Sequence, residues 1–121
     1  MKFKRLDKLN GAIEERLKVS LGSDCAILAD QVAAGKAELW ECDGGDAYMI
    51  TRVDYDHLVV CCYEGKNIKH VVPHLIAAAK KNGQVCLRFH TKREALARLL
   101  KDYKPILSEY VYTIDCTEET S

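Results

Sequence analysis

The residues with the clearest chemical potential follow an apolar run at positions 57–63, HLVVCCY. The next four residues, Glu64-Gly65-Lys66-Asn67, interrupt that run, and the pattern after them predicts a helix. Ligands commonly bind beyond the carboxyl end of a strand, and the N–H groups at the start of a helix favour phosphate. Gly65 would let a ligand approach the backbone, while Lys66 and Lys69 add positive charge. Two interpretations fit these residues, a plain polar turn and an anion-binding segment.

Cysteine and histidine residues offer two other kinds of chemistry. Cys61 and Cys62 lie inside the apolar run, so we expect them to be buried in a strand, where burial raises the pKa of a thiol and suppresses its reactivity. No Cys-x-x-Cys pair occurs, and we interpret all six cysteines as reduced thiols. His70 and His74 have a spacing found in metal sites, but no third ligand is evident, so we predict no metal centre.

The chain that must position these residues has 121 residues, with 18 basic and 18 acidic side chains. This length predicts a single domain over residues 1–121, with frayed ends at 1–5 and 117–121. No apolar run is long enough to span a membrane, and no secretory signal is visible, so we expect a cytoplasmic protein. Charge is uneven: residues 24–56 hold eight acidic and two basic residues, whereas residues 80–104 hold eight basic and two acidic residues.

Hydrophobic periodicity and turn residues predict a sequence of nine elements. Helices are expected at 6–20, 24–34, 68–81 and 92–103, and strands at 37–42, 47–53, 57–63, 84–89 and 106–115. Because a helix connects strands 57–63 and 84–89, these two strands should be parallel. The prediction is therefore an α+β domain with the order ααβββαβαβ, in which an antiparallel meander is followed by a parallel βαβ unit in one mixed sheet.

Two motifs in this arrangement resemble the GCN5-related N-acetyltransferase (GNAT) superfamily. The segment YEGKNIK at 63–69 is similar to the RGKGIG form of the family's pyrophosphate loop, with matches at Gly65, Lys66 and Ile68. Glu64, Asn67 and Lys69 depart from that motif. The second motif is the helix start and end of many small GNAT proteins, represented here by Thr91, Arg93, Arg98-Leu99-Leu100 and Tyr103. The resemblance is closest to short, divergent acetyltransferase-like proteins of the kind encoded by phages.

The resemblance implies a GNAT-like fold that binds acetyl-CoA between strands 57–63 and 84–89. The backbone of Cys62 and Tyr63 would hold the pantetheine, and Lys66, Lys69 or Arg93 would neutralise phosphate charge. The pyrophosphate would be held by the five residues Gly65, Lys66, Asn67, Ile68 and Lys69.

The family commonly uses a carboxylate or a water molecule as the general base. Glu41, Asp54 and His57 are candidates here, and nothing in the sequence selects one. The usual general-acid Tyr is replaced by Leu99.

Three functions follow as alternatives. The first is an acyl-CoA-dependent N-acetyltransferase that acts on an amine acceptor. The second is a catalytically inactive GNAT-fold protein that serves a phage particle or binds a host factor, through a protein partner or a second copy of itself, in the host cytoplasm or the virion. The third is nucleic-acid binding through residues 80–104, against which stand the neutral net charge and the few aromatic residues of that segment.

Overall fold

Seven strands and three helices make up the part of the chain that the structure, a computed structural model, describes: residues 2–21, 25–65, 68–90, 101, 106–108 and 111–117. The strands are β1 (Phe3–Leu6), β2 (Glu38–Cys42), β3 (Ala47–Asp54), β4 (His57–Gly65), β5 (Cys86–His90), β6 (Ile106–Ser108) and β7 (Val111–Asp115). The helices are α1 (Gly11–Leu21), α2 (Cys25–Ala33) and α3 (Ile68–Lys81).

The strands form one mixed sheet in the order β1-β2-β3-β4-β5-β7-β6. Strands β1, β2 and β3 pair antiparallel, as do β5, β7 and β6, whereas β4 and β5 are parallel. The parallel register joins His57–Val60 to Cys86–Phe89, and β4 then continues to Gly65. The predicted α+β class, the meander and the parallel pair after it are confirmed.

The amino terminus differs from the prediction, which placed the first helix at 6–20 and frayed residues at 1–5. Phe3–Leu6 is instead an edge strand, in which Phe3 pairs with Cys42 and Leu6 with Leu39. Helix α1 begins only at Gly11, because the Asn10 side chain caps it by accepting a hydrogen bond from the Ile13 N–H at 2.9 Å. The observed order therefore starts with a strand that the ααβββαβαβ prediction lacks.

The carboxyl-terminal part also differs from the prediction. Residues 106–115 were expected to form one strand, but they contribute two antiparallel strands, β6 and β7. The predicted helix at 92–103 lies outside the described residues apart from Lys101, and the predicted frayed end lies outside them beyond Thr117.

The chain falls into two compact units. The first unit comprises Met1–Arg52 and Cys61–Lys66. In it, α1 packs against α2, and the core holds Ile13, Leu17, Leu28, Val32, Leu39 and Ile50, all buried. These residues recur every three or four positions in the helices and on one face of β2 and β3, so apolar burial selects the observed faces.

The second unit comprises Val53–Val60 and Asn67–Ser121. Helix α3 begins at Ile68, as predicted, and accommodates Pro73 inside it. Its buried face, which includes Val72, Leu75 and Ile76, belongs to a core that also contains Val59, Leu87, Phe89 and Ile114. The Val85 N–H donates to Asp56 O at 2.8 Å, and the Cys116 N–H donates to Val85 O at 2.6 Å.

The sequence also predicts that the chain has no membrane span and that its cysteines are reduced. None of the helices in the described part of the chain is long and apolar enough to cross a membrane. All six cysteines are free thiols, and five of them are buried, including Cys61 and Cys62.

Candidate functional site

The carboxyl end of β4 is the place where the sequence predicts ligand binding. Glu64 and Gly65 were expected to form part of a turn, but they are the last two residues of β4. Cys62 is buried, whereas Tyr63 is half-buried. Lys66 and Asn67, which follow, lie outside the described residues. The ligand-binding prediction therefore concerns a strand end, and not an extended polar turn that begins at Glu64.

Gly65 has a structural reason to be glycine. Its φ of 137° is a conformation that residues with side chains rarely adopt. A Cβ atom at this position would lie 2.6 Å from both Ala47 Cα and the Asp46 carbonyl oxygen, which is far inside van der Waals contact. The sequence suggested that Gly65 admits a ligand. In the structure, the absent side chain makes room for the backbone at the start of β3.

The turn between β2 and β3 is held by an arginine from α1. Arg16 Nη1 donates to the Gly45 carbonyl oxygen at 2.6 Å, and Nη2 donates to the Asp46 carbonyl oxygen at 2.9 Å. The guanidinium also lies over the ring of Tyr48, 5.1 Å from its centroid, in a cation–π contact. We call this set, Arg16 with Gly45, Asp46 and Tyr48, the turn clamp.

No feature of the sequence indicates the turn clamp. Arg16 looks like an ordinary charged position on an amphipathic helix, and its partners are backbone carbonyls 29 and 30 residues away. Backbone acceptors carry no side-chain signature. A contact of this kind therefore becomes visible only when the packing of α1 is known.

Glu41, one of the three candidate bases, lies on β2 beside the turn clamp. It pairs across the strands with Tyr48, whose hydroxyl donates to Glu41 Oε2 at 3.4 Å. On the neighbouring position of β2, the indole N–H of Trp40 donates to Thr51 Oγ1 at 3.0 Å. Glu41 is thus a half-buried carboxylate that accepts a long hydrogen bond from the hydroxyl of Tyr48.

Two other residues of the first unit, Tyr63 and Cys42, have pKa values above their usual range. Burial, reinforced by Cys42 and Asp43, raises the pKa of Tyr63 to about 12, although Arg16 acts in the opposite direction. Burial, with help from Asp43 and Glu41, raises the pKa of Cys42 to about 11. Both groups are therefore neutral at physiological pH, and Tyr63 can donate a hydrogen bond.

The other two candidate bases, Asp54 and His57, belong to the second unit. Asp54 Oδ2 accepts a hydrogen bond from Arg88 Nη2 at 2.9 Å in a partly buried ion pair. His57 Nε2 lies 3.6 Å from Asp56 Oδ1. Arg88 Nε is buried and has no hydrogen-bond partner among the described residues, which increases the dependence of this guanidinium on Asp54.

The remaining predicted site residues lie in or near α3. Ile68 and Lys69 are its first two residues; Ile68 is half-buried and Lys69 is exposed. Arg93 and Leu99 lie outside the described residues. His70 and His74 are both exposed on α3, and the described part of the chain contains no group of three or more His, Cys, Asp or Glu residues arranged to hold a metal ion.

Comparison with known proteins identifies the fold. No protein-family model and no curated protein sequence matches the chain. Among solved structures, a Bacillus subtilis acetyltransferase in complex with CoA is similar with a TM-score of 0.68 and 12% identity, over 94% of this chain and 97% of the other. The ribosomal-protein-S18-alanine N-acetyltransferase of Escherichia coli follows with a TM-score of 0.63 and 10% identity, over 98% and 97%.

A third similar structure, from Staphylococcus aureus, is described as an acetyltransferase of the GNAT family. Its TM-score is 0.59 at 11% identity, over 95% of this chain and 99% of the other. These similarities extend over almost the full length of each protein. The chain therefore has the GNAT fold, as its two motifs suggested.

Proposed function

We propose that the protein is an acyl-CoA-dependent N-acyltransferase that binds acetyl-CoA at the end of β4 and the start of α3. The observation that supports this proposal best is the GNAT fold over nearly the whole chain, shared with an acetyltransferase that contains CoA. The strand arrangement agrees with it, since the parallel pairing of β4 ends at Val60 and the strand continues to Gly65.

The residues proposed for this site suit the parts of acetyl-CoA that they would contact. The N-terminus of α3 carries the positive end of a helix dipole, and its first turn contains no acidic residue. Exposed Lys69 adds a cation there, and Lys66, Asn67, Ile68 and Arg93 complete the proposed set for the diphosphate. The backbone of Cys62 and Tyr63 would hold the pantetheine beside buried side chains.

The chemistry of such a transfer is a direct attack of an amine on the thioester carbonyl, with loss of the CoA thiolate. Proximity supplies much of the rate, so the chain must orient the two substrates and accept one proton from the amine. We assign that proton to Glu41. Asp54 already forms a close ion pair with Arg88, whereas Glu41 accepts a longer hydrogen bond, at 3.4 Å, from the phenol of Tyr48.

Calorimetric titration with acetyl-CoA tests the binding step. We expect saturable binding that Lys69→Glu weakens about tenfold, because the new carboxylate would repel the diphosphate. Lys81→Glu is the matched control, since it makes the same charge change at an exposed position at the other end of α3. An absence of heat at millimolar acetyl-CoA would overturn the proposal.

The same titration separates the enzyme from the alternative of an inactive phage component that binds a protein partner or a second copy of itself. That alternative predicts no acetyl-CoA binding and no release of free thiol with polyamine or peptide amines. We favour the enzyme because the structures that the chain resembles are acetyltransferases. Use of acyl-CoA also fits the cytoplasmic location that the sequence predicts.

A further inference from the structure

The turn clamp connects α1 to the end of β4 through a single atom. The Asp46 carbonyl oxygen accepts the Arg16 Nη2 hydrogen bond at 2.9 Å, and it also lies 2.6 Å from the point where a Gly65 Cβ would be. We infer that Arg16 is a positioning residue, which fixes the β2–β3 turn and thereby sets where β4 ends and the diphosphate of an acyl-CoA binds. This inference rests on the proposed function for the identity of the ligand.

The contacts of Arg16 are suited to fixing a backbone segment. Its two terminal nitrogens donate to consecutive carbonyls, and its Cζ lies over the ring of Tyr48. A guanidinium presents several donors in a rigid fork, whereas the ammonium of a lysine is a single point on a flexible stem. Lysine at this position would keep the charge, but it could not hold the Gly45 and Asp46 carbonyl oxygens in the same two-pronged arrangement.

The packing at Gly65 makes the position of the end of β4 depend on the position of the β2–β3 turn. Because Ala47 and Asp46 lie directly against Gly65, a displacement of the turn must displace the strand end or open a gap beside it. Only Lys66 and Asn67 separate Gly65 from Ile68, the first residue of α3. Gly65 is thus the point at which the chain leaves β4 toward the residues proposed for the diphosphate.

Two thioesters distinguish positioning from a general loss of stability. Acetyl-CoA carries the diphosphate, whereas S-acetylpantetheine ends before it. We expect Arg16→Lys to weaken acetyl-CoA binding about tenfold and to change S-acetylpantetheine binding less than twofold. Lys18→Met is the control on the same helix, since Lys18 is exposed and forms an ion pair with the exposed Glu15; it should change neither affinity.

Equal weakening of both thioesters by Arg16→Lys, or no weakening of either, would overturn the inference. If the wild-type protein binds neither thioester, the proposed function fails, and hydrogen exchange then tests the clamp by itself. Arg16→Lys should accelerate exchange at the amides of Tyr63, Glu64 and Gly65, with that of Leu87 in the second unit as the reference. Unchanged exchange at the end of β4 would overturn the inference even in that case.

Discussion

Gly65 and Asp46 are packed so closely that a single methyl group on Gly65 would lie 2.6 Å from the Asp46 carbonyl oxygen. This oxygen is also held by Arg16 at 2.9 Å. The end of β4 is therefore defined by backbone packing and by one arginine, before any ligand is considered.

Substitution of Gly65 by alanine should destabilise the protein strongly. The positive φ and the overlap with Asp46 and Ala47 both oppose a side chain, and we expect a loss of about 3 kcal/mol in the free energy of unfolding. Urea denaturation measures this loss. Gly83→Ala is the matched control, because Gly83 also has a positive φ but has open space around its Cβ direction; it should cost about 1 kcal/mol.

The same substitution also tests the connection to Arg16. If Gly65 and Arg16 act through the same carbonyl, the double variant Gly65→Ala with Arg16→Lys should cost less than the two single changes added together. Equal urea midpoints for Gly65→Ala and Gly83→Ala would contradict the packing argument.

The ion pair between Asp54 and Arg88 should contribute to stability. Asp54→Asn removes the charge partner at 2.9 Å of a guanidinium that is partly buried and whose Nε has no hydrogen bond within the described residues. We expect a cost of about 2 kcal/mol in the free energy of unfolding. The exposed pair of Glu15 and Lys18, at 3.4 Å, serves as the comparison, and Glu15→Gln should cost less than about 0.5 kcal/mol.

Among the three candidate bases, substitution of Glu41 should reduce turnover most. Glu41→Gln keeps the size of the side chain and removes its ability to accept a proton, so kcat should fall by about 100-fold or more, with little change in acetyl-CoA affinity. His57→Gln should leave kcat within a few-fold of the wild type, and Asp54→Asn should affect mainly stability. A larger fall of kcat in a folded Asp54→Asn or His57→Gln variant would reassign the base.

Alkaline pH should destabilise the fold through Cys42 and Tyr63. Burial raises the pKa of Cys42 from 9.0 to about 11 and that of Tyr63 from 10.0 to about 12. The unfolded chain therefore ionises first, and the stability that is fully present below pH 9 is lost progressively as the pH rises through 11 and 12.

Urea midpoints across this pH window measure the effect. Tyr63→Phe should flatten the decline above pH 10, since the phenylalanine has no proton to lose. Tyr55→Phe provides the control because Tyr55 is fully exposed, and it should leave the pH profile unchanged. A Tyr63→Phe profile that superimposes on that of the wild type would exclude Tyr63 as a source of the decline.

Several elements could be predicted from sequence because their signals are local. The turn at Asp43–Asp46, the apolar run of β4 and the helix Ile68–Lys81 each combine a clear hydrophobic pattern with clear end signals. Strand β1 could not be predicted in this way. Its four residues, FKRL, have no distinctive pattern, and Leu6 fits the helical spacing of Leu9 and Ile13 equally well; pairing with β2 decides its conformation.

The α+β class, the meander and the parallel pair could be predicted from the sequence, because periodicity and turn residues are encoded locally. The packing that requires glycine at position 65 and the contacts of Arg16 became visible only in the folded structure. Both depend on backbone atoms of Gly45, Asp46 and Ala47, which are distant in sequence from the residues that contact them. Backbone carbonyls are the same in every residue, so no pattern of side chains can specify such partners before the chain has folded.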